Sequence, residues 1–357
     1  MSNCHIHREA IDAVKNFSLP QELPFGKTIA PVMVKVHYNK GEWSKSELLP
    51  YSPLTLDPTC KVLHYAQEIF EGMKAYRVEG QGPLLFRPEE NLQRFNMSAR
   101  RMAMPEVPEE IFMGAVEAIV GACAPIIPRR SGESLYIRPF MFASENGLGI
   151  KPAEHFIFLV VASPSGAYFS GGSVQVQIER EAIRACPDGV GFAKTGGNYA
   201  ASLLSMIEAK KQGYDQVLWL DALHKRDVEE LSGMNFFAVY NNRLVTPKLT
   251  STILNGITRK SLIQLARHQG FQVDEETISI DQIIADIQSG KITEAFACGT
   301  AVIITPISHL GEKDGTRYAL PQAVGEVSMK LRNALLDLQE GRAQDTFEWV
   351  KKVAPLA

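Results

Sequence analysis

Long apolar runs are missing from this chain. The longest, Phe156 to Ala162, has the length of a strand, whereas a membrane-spanning helix needs about 20 predominantly apolar residues. Cysteine is scarce. Five cysteines (Cys4, Cys60, Cys123, Cys186 and Cys298) are odd in number, scattered, and never spaced as CxxC, so a disulfide framework is not expected and a reducing cytoplasm is. Net charge is also small, −3 at neutral pH, which gives no electrostatic case for nucleic acid or an anionic membrane. The first residues, Met1 to Arg8, carry no apolar segment of the kind a signal peptide needs. Cys4, His5 and His7 could suggest a metal site, but they read as a mobile polar terminus, and no metal is expected. Internal repeats and low-complexity segments are absent too.

What is present is an ordinary globular composition, 45% hydrophobic and 22% charged over 357 residues, enough for one large or two medium domains. Val32–Tyr38 alternates and reads as a strand, and Gly82–Arg87, Ser134–Phe142, His155–Ala162 and Val174–Ile178 read as further strands. Leu63–Gly72 reads as a short turn or helix before a strand at Met73–Arg77. A helix should start at Pro88, with Leu92, Phe95, Ala99 and Met102 on its core face. Arg94 lies off that row, so it is either solvated or reaching into a site. A second helix is expected from about Glu109 to Ala124. The small residues from Gly166 to Ser173 suggest a connection between domains, placing a small α/β domain at 1–170, a linker at 171–183 and a large domain at 184–357. In the second half, Gln216–Asp221 and Phe236–Tyr240 read as strands. Leu262, Ile263 and Leu265 mark one helix, 280–289 another, and 322–338 a last one with Val324, Val327, Met329, Leu331, Leu335 and Leu338 near its core face. Both halves are mixed α and β.

One stretch organises the rest: Gly191-Phe192-Ala193-Lys194-Thr195-Gly196-Gly197-Asn198-Tyr199. Glycines let backbone approach a ligand closely, and an amine held among small residues is a usable nucleophile. A surface lysine in a turn is the plain alternative. Three further pieces complement it. Gly256-Ile257-Thr258 opens a helix, where free N–H groups and the helix dipole favour phosphate, unless Thr258 merely caps the helix. Gly299-Thr300-Ala301 can present N–H and hydroxyl donors to an anion. Of Glu229 and Glu230, adjacent on an extended segment, only one can face a given ligand. A carboxylate just before an apolar strand is usually solvated, but against a ring nitrogen it would keep that nitrogen protonated. Lysine, carboxylate and phosphate cradle are the parts a pyridoxal phosphate enzyme needs.

Taken in order, the motifs Phe-Glu-Gly-Met-Lys-Ala-Tyr (70–76), Leu-Tyr-Ile-Arg-Pro (135–139), Gly-Ala-Tyr-Phe (166–169), Lys-Thr-Gly-Gly-Asn-Tyr (194–199), Glu-Leu-Ser-Gly-Met-Asn (230–235), Gly-Ile-Thr-Arg (256–259) and Gly-Thr-Ala (299–301) resemble those of the branched-chain amino acid aminotransferases. These are two-domain, fold-type IV pyridoxal phosphate enzymes of mixed α/β (α+β) class. The resemblance runs from about Phe25 to the last helix. It implies that Lys194 is the Schiff-base lysine, that Tyr199 donates to the phenolate oxygen of pyridoxal 5′-phosphate and that Glu230 pairs with its ring nitrogen. Arg94, the backbone of Ile257 and Thr258, and Thr300 would hold the phosphate, with Leu254 packed on the ring. Thr300 and Ala301 would hold the substrate α-carboxylate. Phe25, Phe70, Tyr136 and Tyr168 would line the side-chain pocket. Tyr65, Leu148 and Ile150 would come from a partner subunit, which implies a homodimer. Arg138 is a candidate handle for the second carboxylate of glutamate.

The implied activity is transamination of L-leucine, L-isoleucine and L-valine with 2-oxoglutarate in the cytoplasm. Its rivals are a D-amino acid transaminase or an aminodeoxychorismate lyase on the same fold, and a cofactor-free pseudoenzyme. Three departures stand out. Ser232-Gly233 replaces the Gly-Thr of vertebrate members, Val302 and Thr305 stand where those members carry a redox CxxC, and Asp227 replaces a common aromatic residue.

Overall fold

The computed structural model describes residues 4–77, 82–167 and 172–356. Two units emerge: Met1–Tyr168 with Ala193–Gly196 and Asp337–Ala357, and Phe169–Phe192 with Gly197–Leu336. The lysine segment and the C-terminal residues thus group with the first half of the chain.

Among the described residues, the first unit is built on a ten-stranded sheet. Its centre is an antiparallel set in which Val32–Asn39 pairs with His155–Ser165, and His155–Ser165 with Ser134–Ala143. Met73–Tyr76 and the short strand Glu68–Phe70 pair with the Ser134–Ala143 strand. Helices Pro88–Arg101 and Glu109–Cys123 belong to the same core. There Phe95, Phe112 and Phe158 have ring centroids 5.5–5.8 Å apart, the spacing of attractive aromatic pairs. The expected core face of the Pro88 helix is present, with Leu92, Phe95 and Ala99 buried.

The N-terminus corrects the sequence reading. Cys4–Ile6 is a strand paired in parallel with Ser46–Pro50, and helix Arg8–Lys15 follows. Three residues, Cys4, His5 and Ile6, carry too little pattern to reveal a strand whose partner lies some forty residues away.

The second unit closes on itself. Strands run in the order Val228–Leu231, Gln216–Leu220, Val174–Glu179, Ile303–Gly311, Glu294–Gly299 and Met234–Tyr240, and Met234–Tyr240 pairs back with Val228–Leu231. A closed ring removes the exposed strand edges of an open sheet. Arg243–Pro247 and Gln272–Glu276 extend it from Met234–Tyr240; neither of these two was expected from the sequence. Val176, Leu218, Phe236, Ala297 and Ile307, among others, pack into one buried core cluster. Strand Val174–Glu179 occupies part of the 171–183 stretch. The last helix spans Glu326–Gln339, four residues later than predicted at its start. Val324 is therefore outside it and exposed, while Leu331, Leu335 and Leu338 are buried.

Candidate active site

In the first unit the site is built around Lys194. Its backbone is held at both polar groups: its N–H donates to Ser98 Oγ at 2.9 Å, and its carbonyl accepts from the Phe70 N–H at 3.0 Å. Its Nζ lies 4.9 Å from the Phe70 ring centroid. The next residues are fixed by Glu68, whose carboxylate accepts from the Gly196 N–H and from the Thr195 hydroxyl. Burial pushes the Glu68 carboxyl up, with these bonds and Arg138 only partly offsetting it. A short helix begins at Gly196 and runs to Ala200, so Lys194 sits two residues before a helix rather than in a free turn.

Arg94, ambiguous in the sequence, is buried. Its Nε and one terminal nitrogen donate to the two oxygens of Glu71 at 2.6 and 2.8 Å, a bidentate pairing that fixes both side chains. Glu71 has no solvent exposure and also accepts from Asn91 at 2.7 Å and the Gly72 N–H at 3.1 Å. Burial alone would push its carboxyl up. Arg94, Lys194 and Asn91 together reverse this and hold it below the ordinary carboxylate value. Sequence reading gave Glu71 no role, although it sits inside a quoted motif.

Nearby in the same unit, Tyr136 is buried, with the Phe25 ring edge-on at 4.8 Å. A Cβ at residue 72 would collide with the Tyr136 hydroxyl, so Gly72 is the residue that lets the tyrosine in. Arg138 lies over the Phe70 ring at 4.7 Å and donates to the Tyr136 hydroxyl at 3.1 Å. Its buried Nε finds no hydrogen-bond partner among the described residues. Tyr65, Leu148 and Ile150 are exposed, and the Tyr65 hydroxyl bonds the Leu148 carbonyl. Tyr168 lies outside the described residues.

In the second unit, Glu229 and Glu230 lie within strand Val228–Leu231 and both are buried, not solvated before a strand. Alternation gives them different partners. Glu230 pairs with Arg184 at 2.7 Å and accepts from Asn235 at 3.0 Å and the Leu254 N–H at 3.2 Å. Glu229 accepts from the Thr252 hydroxyl. Its carboxyl is raised by burial, against the opposing pull of Thr252 and Arg184. Arg184, which sequence reasoning missed, is 8% exposed. It also donates to the Thr252 carbonyl, and its Nε has no hydrogen-bond partner among the described residues. Nothing in its local sequence distinguishes it; its partner lies far along the chain.

Helix Ile257–His268 starts after an extended Gly256 that supplies no side-chain cap. Thr258 is therefore the second helical residue and not the cap. Its N–H and that of Ile257 belong to the first turn, whose amides have no carbonyl partner within the helix. A Cβ at residue 256 would collide with Asn235 Oδ1, so the glycine permits the approach of the residue that holds Glu230. Thr300 and Ala301 are half-buried in the turn between Glu294–Gly299 and Ile303–Gly311. Tyr199, in the helix Gly196–Ala200, and Leu254 are half-buried as well.

The departures acquire local explanations. The Ser232 hydroxyl accepts from the Trp219 indole at 3.1 Å. Asp227 pairs with Arg226 at 2.8 Å, and its N–H bonds Asp221. All five cysteines are free, and burial pushes the Cys123 and Cys298 thiols up to about 12.

The family model for class IV amino-transferases matches residues 68–310. A probable branched-chain-amino-acid aminotransferase of Streptomyces coelicolor is 47% identical, covering 92% of each chain. The branched-chain-amino-acid transaminase 1 of Bacillus subtilis is 43% identical over 98% of this chain and 99% of its own. Among solved structures, the branched-chain aminotransferase of Thermoproteus uzoniensis, with norvaline, aligns at TM-score 0.74 and 27% identity, covering 90% of this chain and 99% of that one. That of Thermobaculum terrenum, in its PLP form, aligns at TM-score 0.74 and 25% identity, covering 94% and 100%. The chain belongs to the branched-chain-amino-acid aminotransferase family, a fold-type IV family within the class IV aminotransferases. The expected mixed α/β class is borne out. No helix of the described residues is long and apolar enough to cross a membrane.

Proposed function

We propose that this enzyme binds pyridoxal 5′-phosphate and transfers the amino group of L-leucine, L-isoleucine or L-valine to 2-oxoglutarate, giving branched-chain 2-oxo acids and L-glutamate. The observation that carries the reading is Lys194, backbone-anchored by Ser98 and Phe70 beside the buried Arg94–Glu71 pair. The donor set suits a phosphorylated aromatic aldehyde. The first unit offers an amine and a buried guanidinium, and the second an uncapped helix start at Ile257–Thr258 and a buried carboxylate at Glu230. When bound, the cofactor supplies an aldehyde that captures amines and a ring that accepts electrons.

The chain's own residues divide the remaining work. Lys194 would hold the cofactor, then take the proton from the substrate α-carbon and deliver it to the former aldehyde carbon of the cofactor, serving as base and acid in turn. Glu230, fixed by Arg184 and Asn235, keeps a proton at the ring nitrogen. Tyr199 donates to the ring oxygen, and Leu254 packs on the ring. Arg94, the amides of Ile257 and Thr258, and Thr300 hold the phosphate. Thr300 and the Ala301 N–H hold the α-carboxylate. Phe25, Phe70, Tyr136 and Tyr168 enclose the aliphatic side chain. Arg138, whose Nε has no hydrogen-bond partner among the described residues, receives the second carboxylate of glutamate.

An apolar pocket separates ligands by only about 1–3 kcal/mol per methylene, so all three branched substrates are accepted. A homodimer belongs to the same proposal, supported by the exposed Tyr65, Leu148 and Ile150, and so do a cytoplasmic location and division into domains near residues 170 and 184. A panel of L-leucine, L-isoleucine, L-valine, D-alanine and aromatic amino acids with 2-oxoglutarate tests the reading. Turnover of the three branched L-amino acids is expected, and turnover of D-alanine alone would overturn it.

A further inference from the structure

Helix Pro88–Arg101 carries Asn91, Arg94 and Ser98 at intervals of three and four residues, which puts them on one face. All three are buried, at 2%, 8% and 0% exposure, an unusual polar stripe on a helix otherwise packed by Leu92, Phe95 and Ala99. What they have in common is contact with the Glu71 carboxylate or with the backbone of Lys194. Ser98 holds the Lys194 N–H, Asn91 and Arg94 hold the Glu71 carboxylate, and the Phe70 N–H next to Glu71 bonds the Lys194 carbonyl. Ser98 Oγ also donates to the Arg94 carbonyl at 3.0 Å. The group therefore holds two basic side chains and a single, fully enclosed carboxylate. Without that carboxylate, the guanidinium would lose the two bonds of this fork.

We propose that Glu71 is a positioning residue that fixes the Arg94 guanidinium in one orientation, so that the arginine recognises the phosphate of the cofactor. This rests on the function proposed above. Glu71 touches neither substrate nor cofactor in this account; it acts through Arg94. A purely structural carboxylate would stabilise the fold without altering how the protein tells a phosphorylated ligand from an unphosphorylated one. A positioning carboxylate must alter that discrimination.

The test uses the full chain stripped of cofactor, titrated with pyridoxal 5′-phosphate and with pyridoxal, which carries the same aldehyde and ring but no phosphate. Binding is followed by absorbance, and folding by circular dichroism. Glu71→Gln keeps the shape and one acceptor oxygen, and Glu71→Ala removes both. The preference of the wild type for the phosphorylated compound is expected to fall about 10- to 100-fold in these variants, the worth of a hydrogen bond to a charged group, while pyridoxal affinity stays unchanged. Arg94→Gln should lose the same preference, and the double variant Glu71→Gln/Arg94→Gln should lose no more than Arg94→Gln alone, because the two act as one unit. If Glu71→Ala does not fold, Glu71→Gln and the double variant still decide the matter. A folded Glu71→Gln protein with the wild-type preference overturns the proposal and leaves the proposed function standing. So does a double variant with additive losses. A wild-type protein that takes up neither compound overturns both.

Discussion

Glu71 in the first unit and Glu229 in the second are both buried glutamates beside candidate site residues, yet their carboxyls move in opposite directions. Burial pushes both up. Glu71 is met by a bidentate guanidinium, an amide and the charge of Lys194, and ends below the ordinary value of 4.5. Glu229 is met by a threonine hydroxyl and by the charge of Arg184, a side chain that pairs directly with Glu230, and ends above 4.5. What decides the state of a buried acid is thus the geometry of its partners, not the depth of its burial.

The largest effect that could break this comparison is on stability at Glu71. Glu71→Ala takes the bidentate carboxylate from the buried Arg94 and should cost about 3–5 kcal/mol in denaturant unfolding. A loss below about 1 kcal/mol, the size of an exposed pair, would mean that the buried pair is not formed. The pH dependence follows from the sign of the shift. A depressed carboxyl contributes stability that is present above the unfolded value and lost as pH falls through the folded one. The gap between wild type and Glu71→Gln should therefore narrow below pH 4.5, which chemical unfolding at a series of pH values would show.

A middle-sized effect is expected at Gly256. Glycine is required there by the approach of Asn235, since the backbone φ is an ordinary −67°. Gly256→Ala should cost about 1–3 kcal/mol through overpacking, read as a lowered thermal midpoint. Because Asn235 holds Glu230, the change should also weaken cofactor uptake. An unchanged midpoint would show that the Asn235 side chain yields freely.

The smallest effect belongs to Glu229. Glu229→Gln should shift stability by about 0–1 kcal/mol near pH 4.5, since an amide oxygen can still accept from Thr252. Here the sign reverses. A raised carboxyl contributes stability below its unfolded value that is lost as pH rises through the folded one. Glu229→Gln should therefore gain on the wild type as pH rises above 4.5. A gain on acidification instead would contradict the assignment.

Much of this molecule was legible in the sequence. Lys194 before a Gly-Gly pair, the helix start at Gly256 and the turn at Gly299 all carry local chemistry, and the helices over 88–101 and 109–123 follow from their periodicity. What escaped was set by distance along the chain. Cys4–Ile6 is a strand only because Ser46–Pro50 lies beside it. Arg184 matters through Glu230, and Glu71 through Asn91 and Arg94. A lone buried ion pair leaves no periodic trace. The Glu229-Glu230 pair misled because charge usually marks solvent, and the groups that meet these carboxylates, Arg184, Thr252 and Leu254, lie far along the chain.

The most direct test of the central claim is reduction of the purified protein with borohydride in the presence of pyridoxal 5′-phosphate, followed by peptide mapping. A single phosphopyridoxyl label on Lys194, lost in Lys194→Ala together with about 10²- to 10⁴-fold or more of the transamination rate, is the predicted result. A label elsewhere, or none, would contradict the account.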